Sequence, residues 1–115
     1  MSREHAIQKE IMLALGSRQD TRVFRNNCGK LQDRNGQWVS YGLMRGSADL
    51  IGWQTRTITA ADVGKRMAVF LSVEIKSPTG IVRPDQKRWL DAVEIAGGIG
   101  VVARSVDDAL QRISK

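Results

Sequence analysis

Apolar residues recur at helical spacing near the start of the chain, at Ile7, Ile11, Ala14 and Leu15. Ser2 can cap this stretch and Gly16 with Ser17 stops it, so the pattern predicts a helix over residues 2–15. Thr21–Arg25 reads as a short strand that Asn26, Asn27 and Gly29 then break. Beyond the turn signal Asn35-Gly36, residues 37–41 alternate around Trp38 and Val39 and predict a second strand closing a hairpin. Residues 42–47 carry two glycines and lead into a short apolar strand at 49–53.

A loop or turn is expected at residues 60–65. The next stretch, 67–75, is apolar almost throughout, the pattern of a central strand buried on both faces. Ser77-Pro78-Thr79-Gly80 is a turn signal, and Pro84 suits the first position of a helix whose Trp89, Leu90, Val93 and Ala96 face inward until Gly97-Gly98 end it. Ile99–Ala103 reads as a last buried strand. Ser105 with Asp108 three residues on resembles a cap for a closing helix at Val106–Ile113. The order α-β-β-β-β-α-β-α predicts the α/β class.

At 115 residues the chain is expected to form a single domain spanning 1–115. Eighteen Lys and Arg against twelve Asp and Glu give a net charge of +6, and twelve of the eighteen are Arg. Arginine grips phosphate bidentately and stacks on bases, so this balance suits a polyanionic partner, and from charge alone it suits an uninvolved basic surface equally. Cys28 is the only cysteine, which excludes an intrachain disulfide and a Cys-based zinc site. No apolar run approaches the ~20 residues of a membrane span. Glu4, Gln8 and Glu10 interrupt what a signal peptide would keep apolar, so a cytoplasmic protein without a membrane partner is expected.

The chemistry concentrates at Glu74 and Lys76, two charges at the end of the most hydrophobic strand. Residues two apart in a strand leave on the same side, so both are expected on one side, with Val73 and Ile75 entering the core on the other. A carboxylate leaves water at high cost unless it is paired or binds a metal. A solvated ion pair at a strand end would satisfy that rule. Asp49, on another apolar strand after the Gly46-Ser47-Ala48 bend, adds a second carboxylate, and a carboxylate pair suits Mg²⁺, which takes oxygen ligands and keeps several waters.

Asp49 followed by Glu74-Ile75-Lys76 resembles the PD-(D/E)XK nuclease signature. More narrowly, Glu4 and Gln8, Arg25-Asn26-Asn27, Gly46-Ser47-Ala48-Asp49-Leu50-Ile51-Gly52 and Val73-Glu74-Ile75-Lys76 resemble the VRR-NUC family. Asp85-Gln86 before Trp89-Leu90, and Gly97-Gly98 before Val101-Val102-Ala103-Arg104, extend the likeness over nearly the whole chain. The resemblance implies a restriction-endonuclease-like mixed β-sheet flanked by helices and hydrolysis of DNA phosphodiesters with Mg²⁺ or Mn²⁺. It implies that Asp49, Glu74 and the Ile75 backbone carbonyl hold the metal, and that Lys76 sits beside the attacking water or scissile phosphate. Gln86 would hold that lysine or water in place, and Glu4 would reach the metal from the first helix, directly or through water.

Other residues carry weaker signals. Glu4 and Gln8 lie close to the Ile7 and Ile11 side of the first helix, while His5 points elsewhere and reads as a surface residue. Trp53 and Trp89 read as core; Trp38, in an exposed hairpin, reads as packing or as a base-stacking surface. Arg25, Asn27, Lys30 and Arg45 on one side, and Arg83 and Lys87 flanking Gln86 on the other, are candidate DNA contacts, although solvated loop charges have the same look.

The leading reading is an endonuclease, which the resemblance narrows to branched DNA such as Holliday junctions. Two symmetric cuts by a chain with one site require a homodimer. A non-cleaving nucleic-acid-binding module on the same fold, a less selective DNA nuclease and a restriction enzyme are the alternatives, the last disfavoured by the lack of room for a recognition domain. A phage or prophage source suits so short a nuclease.

Overall fold

Residues 3–113 are described by the computed structural model of the chain, so the expected cap at Ser2 lies outside them. The elements are α1 (Arg3–Gly16), β1 (Thr21–Arg25), β2 (Gly29–Gln32), β3 (Trp38–Tyr41), β4 (Leu50–Gln54), a 3-10 turn (Ala60–Asp62), β5 (Leu71–Ile75), α2 (Pro84–Ile95), β6 (Ile99–Ala103) and α3 (Val106–Ile113). The chain is α/β, with antiparallel and parallel pairing both present. Its strands form three two-stranded ladders. Two units emerge, Met1–Arg56 and Thr57–Lys115.

In the first unit β1 pairs antiparallel with β4, from Thr21 opposite Gln54 to Arg25 opposite Leu50. Phe24 and Trp53 from these strands pack with ring centroids 5.6 Å apart. Thr21 and Asn26, at and just beyond the two ends of β1, are buried. A second ladder joins β2 to β3 in register, Leu31 opposite Val39 and Gln32 opposite Trp38. This corrects the expected hairpin: β2 does not stand out in the sequence, because Gly29 and the polar Lys30 and Gln32 dilute its strand pattern. β3 pairs with it, while β1 pairs with β4.

The α1 face also differs from the reading. Its half-buried positions are His5, Gln8, Met12 and Leu15, whereas Ile7, Ile11 and Leu13 are exposed. Apolar residues surround this helix, so spacing alone selects no face, and the packing against β1 does. His5, read as a surface residue, lies on the inner stripe.

The second unit holds a βαβ arrangement, in which β5 and β6 run parallel with Glu74 opposite Val102 and Ile75 opposite Ala103. Between them α2 crosses, with Leu90 and Val93 buried beside Ala103. Trp89 reaches back to β5, its Nε1 donating to Ser72 Oγ at 2.7 Å and its ring edge-on to Phe70 at 6.3 Å. Gly100 makes the contact with α2 possible, since a Cβ there would stand 2.7 Å from the Leu90 carbonyl oxygen. The 3-10 turn buries Asp62, whose carboxylate accepts the Thr59 N–H at 3.0 Å.

One expectation fails here. The strand is Leu71–Ile75, shorter than residues 67–75, and it is not buried on both faces: Leu71 is 47% exposed and Ile75 77%. Ile75 therefore does not enter the core, and Glu74 and Lys76 are half-buried instead. Within the second unit β5 is covered chiefly by α2, which hydropathy along the chain does not reveal.

Candidate functional site

In the first unit the segment before Asp49 is held by a buried amide. The Asn26 Nδ2 donates to Ser47 Oγ at 2.7 Å and to the Ala48 carbonyl at 2.9 Å, and its Oδ1 accepts the Leu43 N–H at 3.0 Å. The Asn26 backbone N–H donates to the Asp49 carbonyl at 2.9 Å, adding a rung beyond the β1–β4 ladder. Ser47 closes a turn onto Met44, N–H to carbonyl at 2.9 Å, with Gly46 at φ +88° in the position that favours glycine. Cys28 joins the same cluster, Sγ lying 3.3 Å from Ser47 Oγ. The backbone on either side of residue 48 is thus tied down while Asp49 itself stays exposed. Glu4 is exposed on the first turn of α1, and Arg25 and Asn27 flank Asn26, both exposed.

In the second unit Lys76 Nζ stands 3.7 Å from Glu74 Oε2, with side-chain exposures of 17% and 28%. The Lys76 N–H donates to the Ala103 carbonyl at 3.1 Å, so the ladder extends through Lys76. The turn that follows is gripped by Arg104, whose Nη1 donates to the Ser77 and Gly80 carbonyls, both at 2.7 Å. Gln86, third residue of α2, turns its Oε1 to the Arg83 N–H at 3.0 Å and caps the helix. Arg83 pairs with Asp85 at 3.1 Å, which raises the guanidinium pKa, with a further contribution from the charge of Glu74. Lys87 pairs with Asp91 at 3.1 Å.

The model of one family, the VRR-NUC domain, matches residues 4–107. The chain belongs to the VRR-NUC family. As a VRR-NUC domain it is a member of the PD-(D/E)XK nuclease superfamily, and its function is of the nuclease type. No curated protein and no solved structure matches it.

Divalent metals are general in the superfamily, and the residues expected to hold one carry hard oxygens, the Asp49 carboxylate in the first unit and the Glu74 carboxylate and Ile75 carbonyl in the second. Oxygen donors of this kind suit Mg²⁺ or Mn²⁺. Among the described residues, no group of three or more His, Cys, Asp or Glu is gathered. No described helix is long and apolar enough to cross a membrane.

Two positioning residues escaped the sequence reading. Asn26 looked like a strand breaker, and only its burial marks it as the anchor of the Asp49 loop. Arg104 stood out as part of a motif without a role. An arginine directly after a buried strand is a weak signal; its two carbonyl contacts require the folded turn. Ser47, part of the bend before Asp49, is the acceptor for Asn26.

Proposed function

We propose that this chain is a divalent-metal-dependent DNA endonuclease that cuts branched DNA such as Holliday junctions and works as a homodimer. The observation that supports the reading best is the Glu74–Lys76 pair, half-buried at 3.7 Å at the end of a strand whose following loop is pinned by Arg104. A simple surface ion pair has no need of that shelter. In this reading Asp49, Glu74 and the Ile75 carbonyl hold Mg²⁺ or Mn²⁺, with Glu4 contributing directly or through water. When bound, the metal lowers the pKa of water and withdraws charge from the phosphate oxygens.

The chain's own residues supply the rest. Glu74 holds the Lys76 ammonium near its carboxylate, and Lys76 places positive charge where the phosphate gains negative charge. Gln86, its Oε1 occupied by the helix cap, keeps its Nε2 donor for the lysine's surroundings or the water. Arg25, Asn27, Lys30, Arg45, Arg83 and Lys87 serve as DNA contacts. Single-domain organisation over 1–115 and a cytoplasmic setting belong to the same proposal.

The test is a panel of single-stranded, duplex, flap and four-way-junction DNA with Mg²⁺ or Mn²⁺. The four-way junction should be cut fastest, and Lys76→Ala and Asp49→Ala should each lose about 100-fold or more in rate, with unchanged circular dichroism. Both variants cutting as well as the parent would refute the site. Equal cutting of every substrate would remove the preference for branches and leave the nuclease standing.

A further inference from the structure

The β2–β3 hairpin bears a concavity of about 550 Å³ that the proposed catalytic residues do not line. Its walls include Cys28, Lys30, Tyr41, Leu43 and Arg45. Its volume falls in the roughly 300–1,000 Å³ range of small-ligand sites. Tyr41 is 43% exposed and Leu43 57%, and the Tyr41 ring lies over Gly29, where any Cβ would collide with it. The walls thus offer an aromatic ring, an apolar side chain and two cations, with no carboxylate. Among the described residues neither Lys30 nor Arg45 has an acidic partner, in contrast to Arg83 and Lys87, which pair with Asp85 and Asp91.

We propose that this concavity seats one unpaired nucleotide of the DNA, its base against Tyr41 and Leu43 and its phosphate at Arg45 and Lys30. The proposal rests on the reading of the chain as a DNA nuclease and names what it recognises at a branch. A base inside a duplex is stacked on both faces and cannot enter a pocket; one at a bulge, gap or branch point can. Charge argues for a nucleotide over a second copy of the chain. The unit carrying the hairpin has nine Lys and Arg against five Asp and Glu, and an isologous contact would set this cationic patch against itself.

The test is made in EDTA, so that binding is read without cleavage. The probes are a duplex with one unpaired 2-aminopurine and a fully paired duplex of equal length. The parent should bind the bulged probe more tightly and change its 2-aminopurine fluorescence. Tyr41→Ala should weaken that binding about tenfold, Tyr41→Phe should keep it, and the paired duplex should bind all three alike. An unchanged fluorescence signal with the parent overturns the proposal without recourse to any variant, as does an equal loss on both probes. A parent dimer that Tyr41→Ala dissociates would assign the face to a second copy and overturn it too. Failure here leaves the metal-dependent cleavage assay untouched, and a chain that cuts nothing leaves this binding measurement readable.

Discussion

Asn26 does more for the proposed chemistry than its place after a strand suggests. Its amide is buried, with both donor contacts and the acceptor contact directed at the loop that delivers Asp49. Asn26→Ala leaves Ser47, Ala48 and Leu43 with lost partners and should lower unfolding stability by about 1–3 kcal/mol, read as a shift in urea midpoint. Cleavage should fall further than Asp49's unchanged identity would suggest, because the carboxylate sits on a looser loop. An unchanged midpoint would show that water replaces the amide. At the same scale, the Glu74–Lys76 pair was legible in the sequence because charges at the end of an apolar strand are conspicuous. Asn26 was not, since an Asn after a strand is commonplace and its burial depends on residues more than fifteen positions away.

Among the elements, α2 and α3 depend on backbone proximity and on caps. Gly100→Ala would drive a methyl against the Leu90 backbone and should cost about 1–3 kcal/mol, with thermal denaturation as the measure; a neutral result would mean that α2 shifts freely on β6. At the start of α3, Ser105 Oγ accepts the Asp108 N–H at 3.0 Å, and Asp108 accepts the Arg104 N–H at 2.9 Å. The Arg104 backbone N–H, then the Arg112 side chain, hold the Asp108 carboxyl below its ordinary pKa. A carboxyl lowered on folding stabilises above its unfolded pKa and loses that contribution as pH falls through the folded value. The melting temperature of the parent should therefore drop as pH falls below the ordinary carboxylate range, and Asp108→Asn should show a shallower drop. Parallel profiles would assign the acid sensitivity elsewhere. Asp20 is the obvious competitor, since the Arg18 side chain and the Thr21 hydroxyl hold it down to about 2.

For the molecule entire, the net charge of +6 sets the expected behaviour on DNA. Affinity should fall steeply as salt rises, with a log–log slope near −0.9 per phosphate neutralised on duplex, and a slope near zero would contradict phosphate contacts by the arginines. A dimer is expected in solution, so sedimentation should return twice the chain mass of 12.8 kDa; a monomer that still makes paired cuts in a junction would exclude the homodimer.

The sequence by itself determined the α/β class, the boundaries of β1, β6 and α3, the family and the charged residues at the end of β5. Each of these is written in local periodicity, in turn chemistry or in the order of motifs, all of which survive without knowledge of the fold. Only the tertiary structure decided that β3 pairs with β2, that His5 and Gln8 turn inward in place of Ile7 and Ile11, that Ile75 is exposed, and that Asn26 and Arg104 hold the loops beside Asp49 and Lys76. The physical reason is common to all four. Strand partners, the buried face of an apolar-surrounded helix and the hydrogen bonds of a buried amide are set by residues distant in the chain, and their free energy exists only once those residues meet.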